Sequence, residues 1–187
     1  MRNASLSLDR DVGLSQAATG RRAAGIAAFV VLTAIGAFVR IPLPFTPVPI
    51  TLQTFFVLAS GIYLGGRDAA LSQIMYLALG IVGLPVFAGS SGLAHAIGPT
   101  GGFLLAFPVA AGLVGRFVRP GDRLAKAAAV LLAADAVIFA LGATWLALAM
   151  GIGPGRALAL AVLPFLPGTV VKTGAALALV VRSPIRR

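Results

Sequence analysis

Lys172 stands in Pro164-Phe-Leu-Pro-Gly-Thr-Val-Val-Lys172-Thr-Gly-Ala-Ala-Leu-Ala-Leu-Val-Val181, a stretch otherwise apolar enough to span a membrane. An ammonium in hydrocarbon costs about 2.5–3.5 kcal/mol on insertion scales, so such a lysine is kept where it meets a cavity, a partner or a ligand. Leu166-Pro-Gly168 comes just before it, which places Lys172 in the first turns of a helix. There the helix dipole and the ammonium together attract an anion or a carbonyl oxygen. Thr169 lies three residues earlier and shares its face. The other polar groups that can line a site are few. Thr51 and Gln53 open a helix beside a proline-rich run, and Ser90, Ser91, His95 and Thr100 lie in a Gly/Pro-rich segment. Uncharged hydroxyls and amides around one cation suit a polar, weakly charged small molecule. Phe45, Phe55, Phe56, Phe87, Phe103 and Trp145 are available as apolar walls.

Asp135, in Ala133-Ala-Asp-Ala-Val-Ile138, is the other ionisable group inside an apolar run. At 1.5 Å per residue its axial gap from Lys172 is roughly 6–13 Å, so direct pairing requires the favourable end of that range. A neutral, protonated Asp135 and one bonded to a neighbouring helix are equally open. Enzyme chemistry has little to work with. There are five Asp, no Glu, no Cys and one His. No metal spacing, Ser–His arrangement or phosphate loop is present. Neither catalysis nor a cofactor is expected, and any energy from ATP must come from another chain.

The elements that position these residues follow from composition. Of 187 residues, 59% are hydrophobic and 11% charged. A soluble domain carries about 25% charged residues, so the chain reads as an all-α integral membrane protein. Each span needs roughly 17–25 residues, which leaves room for six with short loops. The net charge of +10 fits cytoplasmic loops of a membrane protein rather than a nucleic-acid partner. Residues 1–22 read as a cytoplasmic tail, 23–181 as the six-helix membrane domain, and 182–187 as a basic cytoplasmic C-terminus. The spacing predicts helices over 23–39, 51–64, 69–82, 103–118, 124–150 and 166–181. A short helix has room within the 151–165 connection. Pro42, Pro44, Pro47 and Pro49 end the first helix, because proline removes the donor and clashes with the preceding turn. The run 23–39 is followed by Arg40 and prolines without a small-residue cleavage pattern, so it reads as a span rather than a leader.

With six spans, twelve of the fifteen basic residues fall on the side of the termini, and only Arg40 and Arg156 on the other. Both termini are therefore expected in the cytoplasm. The irregular segments 40–50, 83–102 and 151–168 then share the outer face. Non-helical backbone at membrane depth is tolerated where it is buried or lines a cavity, so a lidded pocket open to the outside is expected. On the first helix, Ala23/Ala27, Ala24/Ala28 and Thr33/Ala37 are small residues four apart. That spacing allows close helix approach, internally or with another membrane protein.

Four segments, in order, resemble one family: Pro47-Val-Pro-Ile-Thr-Leu-Gln-Thr-Phe55, Gly83-Leu-Pro-Val-Phe-Ala-Gly-Ser-Ser-Gly92, Gly98-Pro-Thr-Gly-Gly-Phe103 and Pro164-Phe-Leu-Pro-Gly-Thr-Val-Val-Lys172. Together they are similar to BioY, the biotin-binding S component of energy-coupling factor (ECF) transporters, over residues 23–181. The resemblance implies capture of biotin near the outer face of a bacterial inner membrane. It also implies assembly with a transmembrane coupling protein and a pair of ABC ATPases. Lys172, Thr169, Gln53, Thr51, Ser90, Ser91, Phe87 and Thr100 become the expected substrate-binding set, and Ala23, Ala27, Ala24 and Ala28 the docking face. One position departs. The family pattern Pro-Gly-Asp-x-x-Lys has Thr169 here in place of the acid, which leaves Lys172 without that ionic neighbour. Lys172 can then bind either the ureido oxygen or the carboxylate of biotin. A stand-alone biotin carrier and an S component for another vitamin are the alternatives.

Overall fold

A computed structural model describes residues 2–119 and 121–182, with side chains from residue 18 onward. The chain folds into helices α1 (Arg2–Phe38), α2 (Gln53–Leu64), α3 (Gly66–Ile81), α4 (Leu93–Ala96), α5 (Gly101–Phe117), α6 (Leu124–Met150), α7 (Pro154–Ala161) and α8 (Leu166–Arg182). Strands β1 (Arg40–Ile41) and β2 (Ile50–Thr51) pair antiparallel across the proline-rich loop, with Arg40 opposite Thr51. The helix expected from residue 23 begins earlier, since no proline precedes Pro42 to interrupt it. The side chains of most of the expected tail, and the segment after Arg182, lie outside the described residues.

Local chemistry sets the remaining boundaries. Gly65 at φ 82° separates α2 from α3. Gly151, in the left-handed region, ends α6, and the Ile152 amide bonds back to the Ala147 carbonyl at 3.0 Å. Glycine suits that position because it pays no Cβ penalty there. Pro154 then opens α7, where its missing N–H is harmless. The connection from α6 to α8 is thus mostly helical, α7 followed by a 3₁₀ turn at Leu163–Phe165.

Helix α5 is the centre of the bundle. It packs on α2, α3 and α6, while α1 covers α2 and α3, and α8 closes the gap between α2 and α6. Small residues permit these approaches. A Cβ on Gly61 would strike Val114 across the α2–α5 crossing, and one on Gly142 would enter the Phe103 ring across α5–α6. Val57, Leu58, Tyr76, Ala110, Val114, Leu131 and Ile138 form the dry core. Between α1, α2 and α3 the core holds a polar knot: the Gln73 amide donates to Thr33 Oγ1 at 3.3 Å and Ser72 Oγ at 3.1 Å. Thr33 and Ala37, one of the small pairs, are therefore spent on internal packing.

The outside of the bundle is as apolar as the inside. Val31, Ile35, Phe38, Ile74, Leu105, Val109, Leu132 and Leu148 all face outward. A contiguous surface of this kind requires a hydrocarbon solvent. Ala18–Phe38, Leu124–Met150 and the 154–182 stretch are long and apolar enough to cross a bilayer. The protein is a membrane protein on both counts. Gln53–Leu64 and Gly101–Phe117 are apolar but shorter.

Candidate functional site

Helices α2, α5, α6 and α8 and the 40–49 segment line a cavity of about 400 Å³. That volume is within the range of small-molecule sites, about 300–1,000 Å³. Lys172 reaches it from α8. Residues Thr169, Thr173, Ala176 and Val180 are buried on one face of that helix, while Val170 and Val171 are each 71% exposed on the opposite side. This is the i, i+4, i+7 stripe of a helix with one face packed and the other in lipid. The Lys172 ammonium donates to Thr54 Oγ1 at 2.6 Å and to the Thr51 carbonyl at 3.3 Å. Both hydrogen-bond acceptors are neutral.

Asp135 enters the same cavity from the middle of α6. Thr173 Oγ1 donates to Asp135 Oδ2 at 2.6 Å, and Asp135 as a residue is 7% exposed. The helical path of α7 and the 3₁₀ turn sets α8 so that residue 173 is level with residue 135. The axial gap anticipated from straight helices is thereby closed for Thr173. No ion pair forms between Asp135 and Lys172 among the described residues.

A chain of hydrogen bonds leads from this centre to the loop after α3. Thr51 Oγ1 donates to Gln53 Oε1 at 3.1 Å, Gln53 Nε2 to Tyr76 Oη at 2.6 Å, and Tyr76 Oη to the Val86 carbonyl at 2.9 Å. Arg40 closes the same loop from the other side, its Nη1 donating to the Ala88 carbonyl at 2.6 Å. Gly89, at φ +87°, lies under that guanidinium, and a side chain there would collide with it. Thr46 Oγ1 ties the proline-rich loop to α7 through the Leu160 carbonyl at 3.0 Å.

Of the expected contact residues, Thr51, Gln53, Thr100, Thr169 and Lys172 line the cavity. Ser90, Ser91 and Phe87 do not. Phe87 is fully buried against Tyr76, edge to face with centroids 5.7 Å apart, and stacks on the His95 ring at 5.4 Å. Turning Phe87 inward leaves Ser90 exposed. His95 does line the cavity, its Nε2 3.3 Å from Thr100 Oγ1. Burial lowers its pKa from the usual imidazole value, which favours the neutral ring. The apolar walls are Phe103, Phe107, Phe139 and Phe165; only Phe103 was among the aromatics anticipated. Phe45 is exposed, Phe55 and Phe56 pack on each other, and Trp145 donates to the Gly98 carbonyl at 2.8 Å. A readable signal existed for some of what was missed. Phe103 and Phe107 are four apart on α5, and Asp135, Ile138 and Phe139 share one α6 face. Arg40 and Thr54 had no such signal, because Arg40 is positioned by the β1–β2 pairing and Thr54 by the packing of α2 on α8.

The alanines expected to form a docking face are exposed. Ala23, Ala24, Ala27 and Ala28 are all exposed on α1, while Ile26 and Val30 beside them face the core. Among the described residues, no cluster of His, Cys, Asp or Glu could hold a metal ion.

Comparison with known proteins is consistent across three lines. The sequence profile of the BioY family matches residues 10–186. A Pyrococcus horikoshii protein named probable biotin transporter BioY is 43% identical over 152 residues, covering 81% of this chain and 88% of the relative. Biotin transporter BioY of Thermotoga maritima is 41% identical over 115 residues, 61% of this chain and 67% of its own. A crystal structure of the S-component for biotin from an ECF-type ABC transporter superposes with a TM-score of 0.82 at 27% identity, covering 88% of this chain and 90% of that one.

Proposed function

The chain belongs to the BioY family, and from that premise we propose that it captures biotin at the cell membrane as the substrate-binding component of an ECF-type transporter. The observation that carries this reading is the Lys172 ammonium, held by neutral groups only, in a ligand-sized cavity with aromatic walls. Biotin offers a polar ureido head, an apolar bicycle and chain, and a carboxylate, and the cavity has a surface for each. In this reading Lys172, Thr169, Thr51, Gln53 and Thr100 contact the ligand. Ser90, Ser91 and Phe87 belong to the segment that closes over it.

Six spans, α1, α2, α3, α5, α6 and α8, cross the membrane with both termini in the cytoplasm. The positive-inside bias supports that orientation. The cavity mouth then faces outward, toward the source of the vitamin. External biotin enters past the 40–50 and 83–102 segments, which close behind it. The loaded protein reorients against a coupling protein seated on Ala23, Ala24, Ala27 and Ala28, and ATP hydrolysis by separate ABC subunits drives release. No chemical step occurs in this chain.

The test is equilibrium binding of labelled biotin, against a panel of other vitamins, to the protein in nanodiscs. Uptake is then measured in cells with and without the ATPase subunits. Selective biotin binding with ATPase-dependent uptake is expected. Selective binding of another vitamin would replace the substrate, and uptake that persists without ATPases would make the protein a carrier that works alone.

A further inference from the structure

We infer that Asp135 is a ligand contact that accepts one ureido N–H of biotin, so that the bicyclic head lies deepest, between Asp135 and Lys172, and the carboxylate points to the loops. This rests on the biotin reading above and adds the ligand's orientation and a recognition residue on α6.

The first ground is an acceptor without a partner. Asp135 is more than nine-tenths buried and one oxygen, Oδ2, takes the Thr173 hydroxyl. Oδ1 receives no hydrogen bond from the described residues. Yet no fully buried side-chain oxygen or nitrogen among them lacks a partner, so Oδ1 opens onto the cavity that Asp135 lines. A carboxylate oxygen left facing a cavity is costly unless something donates to it.

The second ground is the arrangement of charge. Lys172, next in sequence to the Thr173 that holds Asp135, projects into the same cavity, and the two charges do not form an ion pair. A cation and an anion flanking one space suit a group that presents an acceptor and donors on adjacent edges. A cyclic urea does so: its carbonyl oxygen accepts from Lys172 and its N–H donates to Asp135. A ligand carboxylate placed there would instead meet Asp135 as a like charge. At the 40–49 segment the balance is reversed. Arg40 lines the cavity and bonds to the Ala88 carbonyl, with no carboxylate partner among the described residues. The ligand's acid therefore belongs at that end.

The experiment measures affinities of the protein in nanodiscs for biotin, for biotin methylated at either ureido nitrogen, and for biotin carboxamide. Wild type, Asp135→Asn and Arg40→Gln are compared, each with a thermal melt. On wild type, methylation at the nitrogen facing Asp135 is expected to weaken binding on the order of a hundredfold or more, since a site built for a donor rejects its absence strongly. In Asp135→Asn, biotin is expected to bind at least about tenfold more weakly, and methylation to cost much less than in wild type, the non-additivity of groups in contact. Equal methylation penalties in both proteins would overturn the assignment. So would an acid-over-amide preference that is larger in Asp135→Asn than in wild type, which would place the carboxylate beside residue 135. If Asp135→Asn does not fold, Arg40→Gln decides. Loss of the acid-over-amide preference in that variant supports the orientation, and its full retention overturns it. A folded wild type that binds no biotin overturns the parent reading and this one together, whereas biotin binding with additive effects overturns this one alone.

Discussion

Replacing Lys172 tests the carrying observation directly. In the structure its ammonium donates to Thr54 Oγ1 at 2.6 Å and to the Thr51 carbonyl at 3.3 Å. The second bond is long and is the one a ligand oxygen displaces most readily. A hydrogen bond to a charged group contributes about 1.5–3 kcal/mol and a neutral one about 0.5–1.5 kcal/mol. Lys172→Ala removes the charged donor outright, so biotin affinity should fall about 10–150-fold at 1.4 kcal/mol per decade. Lys172→Gln keeps an N–H donor of similar reach without the charge. Its loss should be the difference, about 1–1.5 kcal/mol or roughly 5–13-fold. The expected order of affinity is Lys, then Gln, then Ala. The assay is equilibrium binding of labelled biotin to nanodisc protein. A thermal melt of each variant accompanies it, because removing the ammonium also withdraws the positive charge near Asp135. Folded Lys172→Ala with an affinity within threefold of wild type would refute the reasoning, as would Gln binding more weakly than Ala.

Three further outcomes follow from other contacts. Tyr76→Phe strips Gln53 Nε2 and the Val86 carbonyl of one partner each; a loss of about 1–3 kcal/mol is expected in chemical or thermal unfolding, with ligand dissociation accelerated. Gly142→Ala drives a methyl into the Phe103 ring, which should cost about 1–3 kcal/mol of stability. The melting temperature reports that cost, and cavity affinity should fall with it. Ala27→Trp adds bulk to an exposed face remote from the cavity; binding measured in nanodiscs should be unchanged while ATPase-dependent uptake in cells collapses.

Most boundaries were legible because they are punctuated locally, whereas the start of α1, expected at residue 23 and found at Arg2, has no such punctuation. The prolines between residues 42 and 49, the Gly65-Gly66 pair and Gly151 before Pro154 each forbid continuation of a helix for a reason internal to a few residues. Lys172 was legible for a similar reason, as a charge in hydrocarbon announces itself. Its neighbours were not. Thr51 and Thr54 are 121 and 118 residues away, and they reach the ammonium because α8 packs against α2. Phe87 illustrates the opposite failure. Its position in a Gly/Ser-rich loop pointed to a site wall, but the loop folds its single aromatic ring inward onto Tyr76 and His95 and so turns Ser90 to the outside. Asp135 was left open by straight-helix arithmetic, which gave an axial range for Lys172 but could not single out Thr173 as the residue that meets it.

Helix α1 is fastened to the bundle at several heights. Arg22 grips Asp68 with two parallel hydrogen bonds, Nε to Oδ2 at 2.7 Å and Nη2 to Oδ1 at 2.5 Å. Gly25 lies against Leu64, and Thr33 joins the Gln73 knot. An isolated exposed ion pair contributes little, but a bidentate arginine fork is the geometry in which it does. Because these fastenings bracket the exposed alanines, force applied to that face passes into α2 and α3 instead of peeling α1 away. On the docking proposed above, the helix would serve as a handle rather than a hinge, and a partner that grasped it would turn the cavity with it.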